Sequence, residues 1–405
     1  VRWTWARLAG LAVLVAAGTA CQERLTAPAE CPELCPGGES QVLELILNPL
    51  PNSDSSFTGY VARNLAAALL VSNGLPVSED RAVYRFNARP DSIELRDTLR
   101  GYTVDSVRLA LNLLARDTLV DGLKLYLYRI DPAAVNDQAT FASITSLMIP
   151  AAIIDSIPVA DSLNAGEVET VLQGPELEKL GLPSGAGGVL AIAVGVAAAQ
   201  PTGIRVGATA SGTGPSFTSY VTLDVPDTGS TRRQAVSRAP AFNTYLTQTP
   251  LVPDPNFLTV GGAPSSRAIL RFDLPEPIED SATIVRATLE LLPREPMLGL
   301  PTDPPLLDAK AILADLGAKS PVTTDQRFIA SDTLSVGSAD TVRIDVTSIV
   351  RLWQSAEERP EALFLSLRPE AGSFTRPVFG STRSETTGPP RLRVTYLRQF
   401  PFENF

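Results

Sequence analysis

The feature that most constrains this chain is an internal repeat. Residues 81–86 read RAVYRF and residues 267–272 read RAILRF, so Arg81, Ala82, Arg85 and Phe86 recur 186 positions later. Upstream of each lies a Gly-containing turn, SNGLP at 72–76 and VGGAP at 260–264. Downstream, TVDSVRLALNLL (103–114) answers TIVRATLELL (283–292), and GVLAIAVGV (188–196) answers EALFLSLRP (361–369). ETVLQGPELEKL (169–180) lines up loosely with IDVTSIVRLWQS (344–355), and the triplet TGP opens a closing segment at 213–215 and at 387–389. Blocks that recur in one order predict two similar units.

Both units read as β-structure. VRLALNLL and VRATLELL alternate long apolar residues with polar or small ones, the period of a strand with one buried face. The runs are short and punctuated by the 28 Gly and 34 Pro of the chain, as in a sandwich. GVLAIAVGVAAA (188–199) is apolar but Gly-broken and too short to span a bilayer, so it reads as a buried strand. One helical exception is expected in each copy. In the second, Thr347 to Ser355 places Ile349, Leu352 and Trp353 on one face, with Thr347 or Ser348 available as N-cap.

The start of the chain reads as an export signal. Arg2 and Arg7 precede an apolar run from Leu8 to Ala17, followed by Gly18-Thr19-Ala20 and then Cys21. A small-residue stretch ending at cysteine resembles the lipobox of bacterial lipoproteins, which implies that Cys21 is acylated and becomes the N-terminus. An ordinary cleaved signal peptide and a short retained anchor are the alternatives. Gln22 beside the cysteine implies, by the same resemblance, an outer-membrane lipoprotein facing the periplasm or the surface. Cys31 and Cys35 form a CxxxC pair in the tether that follows, which reads as a local disulfide or as two thiols.

Charge and chemistry narrow the partners. The net charge is −10, and removal of Arg2 and Arg7 with the signal takes it to −12. So acidic a chain is a poor partner for nucleic acid. Histidine is absent, which removes the usual general base and metal ligand, and no D-x-D-x-D-G calcium spacing occurs. The expectation is therefore no enzyme, no cofactor and no metal, although paired carboxylates alone can hydrolyse glycosides.

At the second copy a family resemblance appears. SSRAILRFDL (265–274), VRATLELL (285–292), VRIDVTSIVRLW (342–353) and GPPRLRVTYL (388–397) resemble the DNRLRE-type domain, a jelly-roll-like β-sandwich of secreted and surface proteins. The resemblance covers roughly 240–398. It implies a non-catalytic module, often an accessory that binds polysaccharide. The first copy departs from it: Asn87 replaces the Asp of RFD, and no Trp matches Trp353.

The expected architecture is all-β, with two tandem jelly-roll-like sandwiches that each carry a short helix. The expected division is a signal (1–20), a tether (21–40), a first sandwich (41–226), a linker (227–240), a second sandwich (241–398) and a tail (399–405). The expected function is a lipid-anchored surface protein that binds polysaccharide. The alternative is a structural or protein-interaction lipoprotein of the envelope without a glycan ligand.

Trp353 lies on the apolar helix face and reads as core. In LKLYLYRI, alternation puts Tyr126 and Tyr128 opposite Leu123, Leu125 and Leu127. The two tyrosines are thus a ligand-contact surface if that face is open, and packing if it is covered. Asp345 precedes a helix and is expected to satisfy backbone N–H groups rather than to pair with Asp273. Arg81, Arg85, Arg267 and Arg271 are expected to be solvated or ion-paired.

Overall fold

A computed structural model describes residues 42–59, 61–184, 187–225, 233–250, 252–279, 282–317, 323–355 and 359–398. The structure is all-β, with two sandwiches of antiparallel sheets.

Chain order begins with β1 (Val42–Leu47), β2 (Ser55–Thr58), β3 (Ala68–Asn73) and β4 (Asp80–Phe86). A small hairpin, β5 (Ile93–Leu95) and β6 (Thr98–Arg100), precedes the long β7 (Tyr102–Arg116) and then β8 (Lys124–Arg129). Next come α1 (Phe141–Thr145), β9 (Ile153–Pro158), β10 (Gly166–Gln173), β11 (Ala191–Ala197), β12 (Thr202–Gly207) and β13 (Ser216–Leu223). The second half opens with β14 (Arg233–Arg238), β15 (Pro240–Thr247), β16 (Phe257–Thr259), β17 (Ser266–Arg271) and α2 (Glu276–Glu279). It continues through β18 (Ala282–Leu291), β19 (Leu306–Ala314), β20 (Thr323–Thr333), β21 (Val342–Asp345) and α3 (Thr347–Gln354). It closes with β22 (Ala362–Arg368), β23 (Val378–Gly380) and β24 (Arg391–Arg398).

In the first sandwich, β14-β13-β7-β12-β3 forms one sheet, with β10 also paired to β7, and β15-β4-β11-β8-β9 forms the other. Their inner faces meet in one core that includes Tyr84, Leu109, Leu111, Leu125, Leu127, Ile192 and Phe217. GVLAIAVGV supplies β11, buried from Ala191 to Val196 at the centre of its sheet, as its unbroken apolar run predicts. In the second sandwich, β1-β24-β18-β21 faces β2-β17-β22-β19-β20, and β16 pairs with β23 at one end. Ala268, Leu289, Ile344, Leu365 and Val394 are among the residues of its core.

The strand pairing departs from the expected division at both ends of the repeat. β14 and β15, expected as linker and as the opening of the second unit, pair with β13 and β4 of the first sandwich. Their counterparts β1 and β2, expected in the first unit, pair instead with β24 and β17 of the second. The first sandwich is therefore a continuous stretch inserted between β2 and β16 of the second. The physical reason is reciprocity. β13 and β24 offer equivalent edges, and β14 fills the first while β1, from the start of the described chain, fills the second. Residues 227–232 of the expected linker lie outside the described residues, as do the signal, the whole tether and the tail.

The two sandwiches pack directly against each other. Ala263, Leu300, Ala371 and Phe374, all from the second sandwich, are buried in the core of the first. Gly203 on β12 permits this approach, because a Cβ there would stand 2.7 Å from Leu75 and 3.0 Å from Phe374. Arg205 Nη2 donates to Asp303 Oδ1 at 2.6 Å across the same seam. Thr302 adds a hydroxyl bond to the Arg116 carbonyl at 3.1 Å.

The helix forecasts divide. α3 forms where expected, and Trp353 is 3% exposed, with its ring 6.2 Å from Phe272. The residue before its first turn is Val346, so Thr347 is not the N-cap; Asp345 Oδ1 instead accepts from the Thr347 N–H at 3.0 Å. In the first copy, 169–180 is not an α-helix. Val168, Thr170 and Leu172 alternate inward on β10, and Gly174-Pro175 turns the chain into a 3-10 helix. The short α-helix of that sandwich is α1, capped by Thr140, whose hydroxyl accepts from the Ser143 N–H at 3.2 Å.

Candidate functional site

The outer faces of the four main sheets differ in what covers them. The outer face of β15-β4-β11-β8-β9 is roofed by the segment from Ile130 to Ala152. Under it, Val83, Ile144, Ala191, Ala193 and Leu246 make a second small core. Tyr128 packs against that core, and burial pushes its hydroxyl pKa up. Gly195 makes the room: a Cβ there would meet Met148 at 3.2 Å and Tyr128 at 3.3 Å. Tyr126 stands beside Tyr128 with ring centroids 6.3 Å apart, half-buried at the margin of the roof. The pair shares one strand face, as alternation requires, and does not form an open platform.

The outer face of β2-β17-β22-β19-β20 is occupied by ion pairs. Arg271 reaches Asp315 by two bonds of 2.5 and 2.8 Å, Arg267 pairs with Glu370, and Arg368 Nη2 donates to Asp308 at 2.6 Å. Arg81 pairs with Glu79 at 2.7 Å, and Arg85 lies 5.7 Å from the Phe242 ring centroid. The repeat arginines are thus paired or stacked. On β1-β24-β18-β21 a charge ladder crosses all four strands from Glu44 through Arg393 and Glu290 to Arg343.

The outer face of the six-stranded sheet is different. β10 and β13 pair with overlapping residues of β7, so they flank it on opposite sides. The register aligns Gln173, Ser106, Tyr220 and Ala235 in one row across β10, β7, β13 and β14. Tyr220 is 41% exposed. The pairing of β13 with β7 slips between Tyr220 and Val221, which leaves Asp105 as the extra residue of a bulge beside Ser106. Asp105, Ser106, Gln173, Tyr220, Arg233 and Gln234 line a depression of about 460 Å³. The Thr222 hydroxyl donates to Asp105 Oδ2 at 2.7 Å and fixes that carboxylate. One row along the strands, Thr218 and Ser237 share a hydroxyl bond of 2.9 Å, while Arg108 binds Glu167 and Glu169.

The repeat shows that this depression is particular to the first sandwich. The same slip occurs in the second, between Ile284 and Arg286 opposite Tyr396 and Thr395. There the aromatic position is Thr395, the bulge residue is Val285, and Glu44 stands where the first sandwich has Ala235. Tyr220 was legible in SFTSYVTL, where alternation sets it with Thr218 and Thr222, opposite Phe217 and Val221.

The other predicted residues fall outside such a face. Cys21, Cys31 and Cys35 lie outside the described residues. Asp273 is exposed after β17, and hydrogen bonds from Thr347 lower the pKa of Asp345. Among the described residues no group of three or more Cys, Asp or Glu is placed to hold a metal. No helix among them is long and apolar enough to cross a membrane.

No protein-family model and no curated protein matches the chain. Among solved structures it is similar to the N-terminal CBM22-1–CBM22-2 tandem domain of Xyn10C from Paenibacillus barcinonensis. The two share 10% identity over 87% of this chain and 99% of that one, with a TM-score of 0.14. A likeness of that size carries no argument about ligand or fold. The DNRLRE-type resemblance rests on its motifs alone.

Proposed function

We propose that the protein is a non-catalytic, lipid-anchored binding protein of the bacterial cell surface, and that its ligand is a polysaccharide held on the face around Tyr220. The observation that carries this reading is the depression itself, an exposed aromatic ring set among amide, hydroxyl, carboxylate and guanidinium groups on a rigid sheet. A sugar ring presents an apolar face and a rim of hydroxyls. A tyrosine ring matches the first, and Gln173, Asp105, Arg233 and Gln234 match the second. Tyr126, with Lys124 at the margin of the roofed face, is a secondary contact in this reading.

The anchor belongs to the same proposal. Acylation at Cys21 would fix the chain in the outer membrane, with the tether leading to β1. Val42 pairs with Leu397, so both ends of the described chain leave from one edge of the second sandwich. Mass spectrometry of the membrane fraction should find a diacylglyceryl-cysteine at Cys21. A soluble mature chain beginning elsewhere would remove the anchor from the account.

A second reading, an envelope protein that binds another protein, has its own observation. Val42, Ile46 and Val285 are 63%, 44% and 46% exposed on the outer face of the four-stranded sheet. Exposed apolar groups close together are common at protein contacts. A glycan-array screen of residues 42–405 and of its Tyr220→Ala variant separates the two readings. Glycan signal that vanishes in the variant supports the first. Absence of signal from the wild type leaves the second.

A further inference from the structure

The crossover from β2 to β3 passes between the sandwiches and carries a single 3-10 turn, Arg63–Leu65, packed on β15 at the edge of its sheet. Two adjoining cavities open beside this turn and share Arg63 and Ala139 as walls. The smaller, about 260 Å³, is bounded by Asn64, Asn136, Asp137, Phe242 and, from the second sandwich, Pro264. The larger, about 650 Å³, is bounded by Phe141, Ala142, Thr145, Gln248 and Pro250. Junctions between domains are where ligand pockets concentrate.

Arg63 is half-buried there, and among the described residues it makes no ion pair or hydrogen bond. Neighbouring acids do not claim it. Asp80, beneath Thr247 of the larger cavity, is buried and takes its bonds from the hydroxyls of Thr247 at 2.6 Å and Ser78 at 2.5 Å. Asp137 lines only the smaller cavity. The larger one therefore has a single cation and no carboxylate, and its walls set Ala139, Phe141, Ala142 and Pro250 among Thr140, Thr145, Ser146, Thr247 and Gln248. Arg81 stands behind the Phe141 ring, 5.3 Å from its centroid, and holds that platform in place.

A groove with one unpaired guanidinium, an apolar patch at Phe141 and Pro250, and hydroxyl and amide groups beside them fits a peptide end, with its carboxylate, its apolar side chain and its backbone N–H and C=O groups. A neutral saccharide would leave Arg63 without a counter-charge. We propose that this groove captures the C-terminus of a peptide ending in an apolar residue. Arg63 holds the terminal carboxylate, and the last side chain rests against Phe141 and Pro250. The groove lies on the other sheet of the sandwich from Tyr220, so the inference stands apart from polysaccharide binding.

The test is a fluorescence-anisotropy titration of the full chain with a labelled five-residue peptide ending in leucine. The same peptide as its C-terminal amide, and a third ending in aspartate, serve as controls. The free acid should bind about 10-fold more tightly than the amide, the worth of one hydrogen-bonded charge pair. Arg63→Gln should abolish that difference and Arg63→Lys should keep part of it, with the melting temperature of each variant close to wild type. Tyr220→Ala should leave peptide binding untouched. Equal binding of acid and amide, binding that survives Arg63→Gln unchanged, or no binding of any peptide would overturn the proposal. So would displacement of the peptide by an oligogalacturonide through Arg63, which would assign the groove to acidic sugar.

Discussion

Arg205 of the first sandwich grips Asp303 of the second with Nη2 and Nε each 2.6 Å from a carboxylate oxygen. Both side chains are about 15% exposed, and Phe374 and Leu300 are buried alongside in the first core. Together with the exchanged strands, this seam makes the two sandwiches one mechanical unit. Arg205→Ala leaves Asp303 half-buried without its partner and should cost about 1–3 kcal/mol in a denaturant melt. Phe374→Ala should cost about 3–5 kcal/mol. In both variants the sandwiches should still unfold together, because two chain crossings remain.

Strand exchange gives a second expectation. A protease cut within 226–232 should leave fragments that stay together, since β14 and β15 remain paired with β13 and β4 of the other fragment. Size-exclusion chromatography of the nicked protein should show one peak at the intact size and two only in denaturant. Expression of 241–398 alone should give a weakly folded product. It lacks β2 and β1, and with β1 go Leu43, Leu45 and Leu47, half-buried against the second core and worth roughly 1 kcal/mol each. Two independently stable fragments would contradict the pairing.

Trp353 offers a test of core against ligand contact. Its ring packs on Phe272 among Ile349, Val350 and Leu289, so Trp353→Ala should lower stability by about 3–5 kcal/mol. Glycan affinity of the folded fraction should not change. A variant that melts like wild type and loses affinity would make Trp353 a contact residue.

The Arg271–Asp315 pair predicts a pH dependence. The hydrogen bonds from Arg271 hold the Asp315 carboxyl below its ordinary range. The unfolded chain thus binds this proton more readily than the folded one. The pair's contribution is fully present above about pH 4 and is lost as pH falls through the lower folded value. In urea melts between pH 6 and pH 2, wild type should lose more stability than Asp315→Asn. Parallel curves would show that the pair is not coupled to folding.

Much of the fold was legible in residue order, for identifiable reasons. RAVYRF and RAILRF mark β4 and β17 because alternation and the flanking glycine turns leave little choice. Ile349 and Trp353 are buried on α3 as helical spacing predicts, while Val350 takes the third buried place and Leu352 is only partly buried. Membership of β1, β2, β14 and β15 was not legible, because a repeat makes the two receiving edges equivalent and pattern alone cannot choose between them. Of the two readings open for Tyr126 and Tyr128, alternation could not choose, because the covering segment from Ile130 to Ala152 is set by tertiary packing. Tyr220 was written in the same period-two code, but its exposure depends on no segment covering the face that β7, β13 and β14 form around it.

The most direct measurement is a calorimetric titration of wild type, Tyr220→Ala and Tyr126→Ala with the polysaccharide selected on the array, each paired with a thermal melt. If Tyr220 is the stacking platform, Tyr220→Ala should lose about 1–3 kcal/mol of binding, taking base–aromatic stacking as the nearest scale. Its melt should be unchanged, because a 41%-exposed ring contributes little to the core. Tyr126→Ala should lose less. Full affinity in Tyr220→Ala, or loss that appears only with Tyr126→Ala, would contradict the assignment of the binding face.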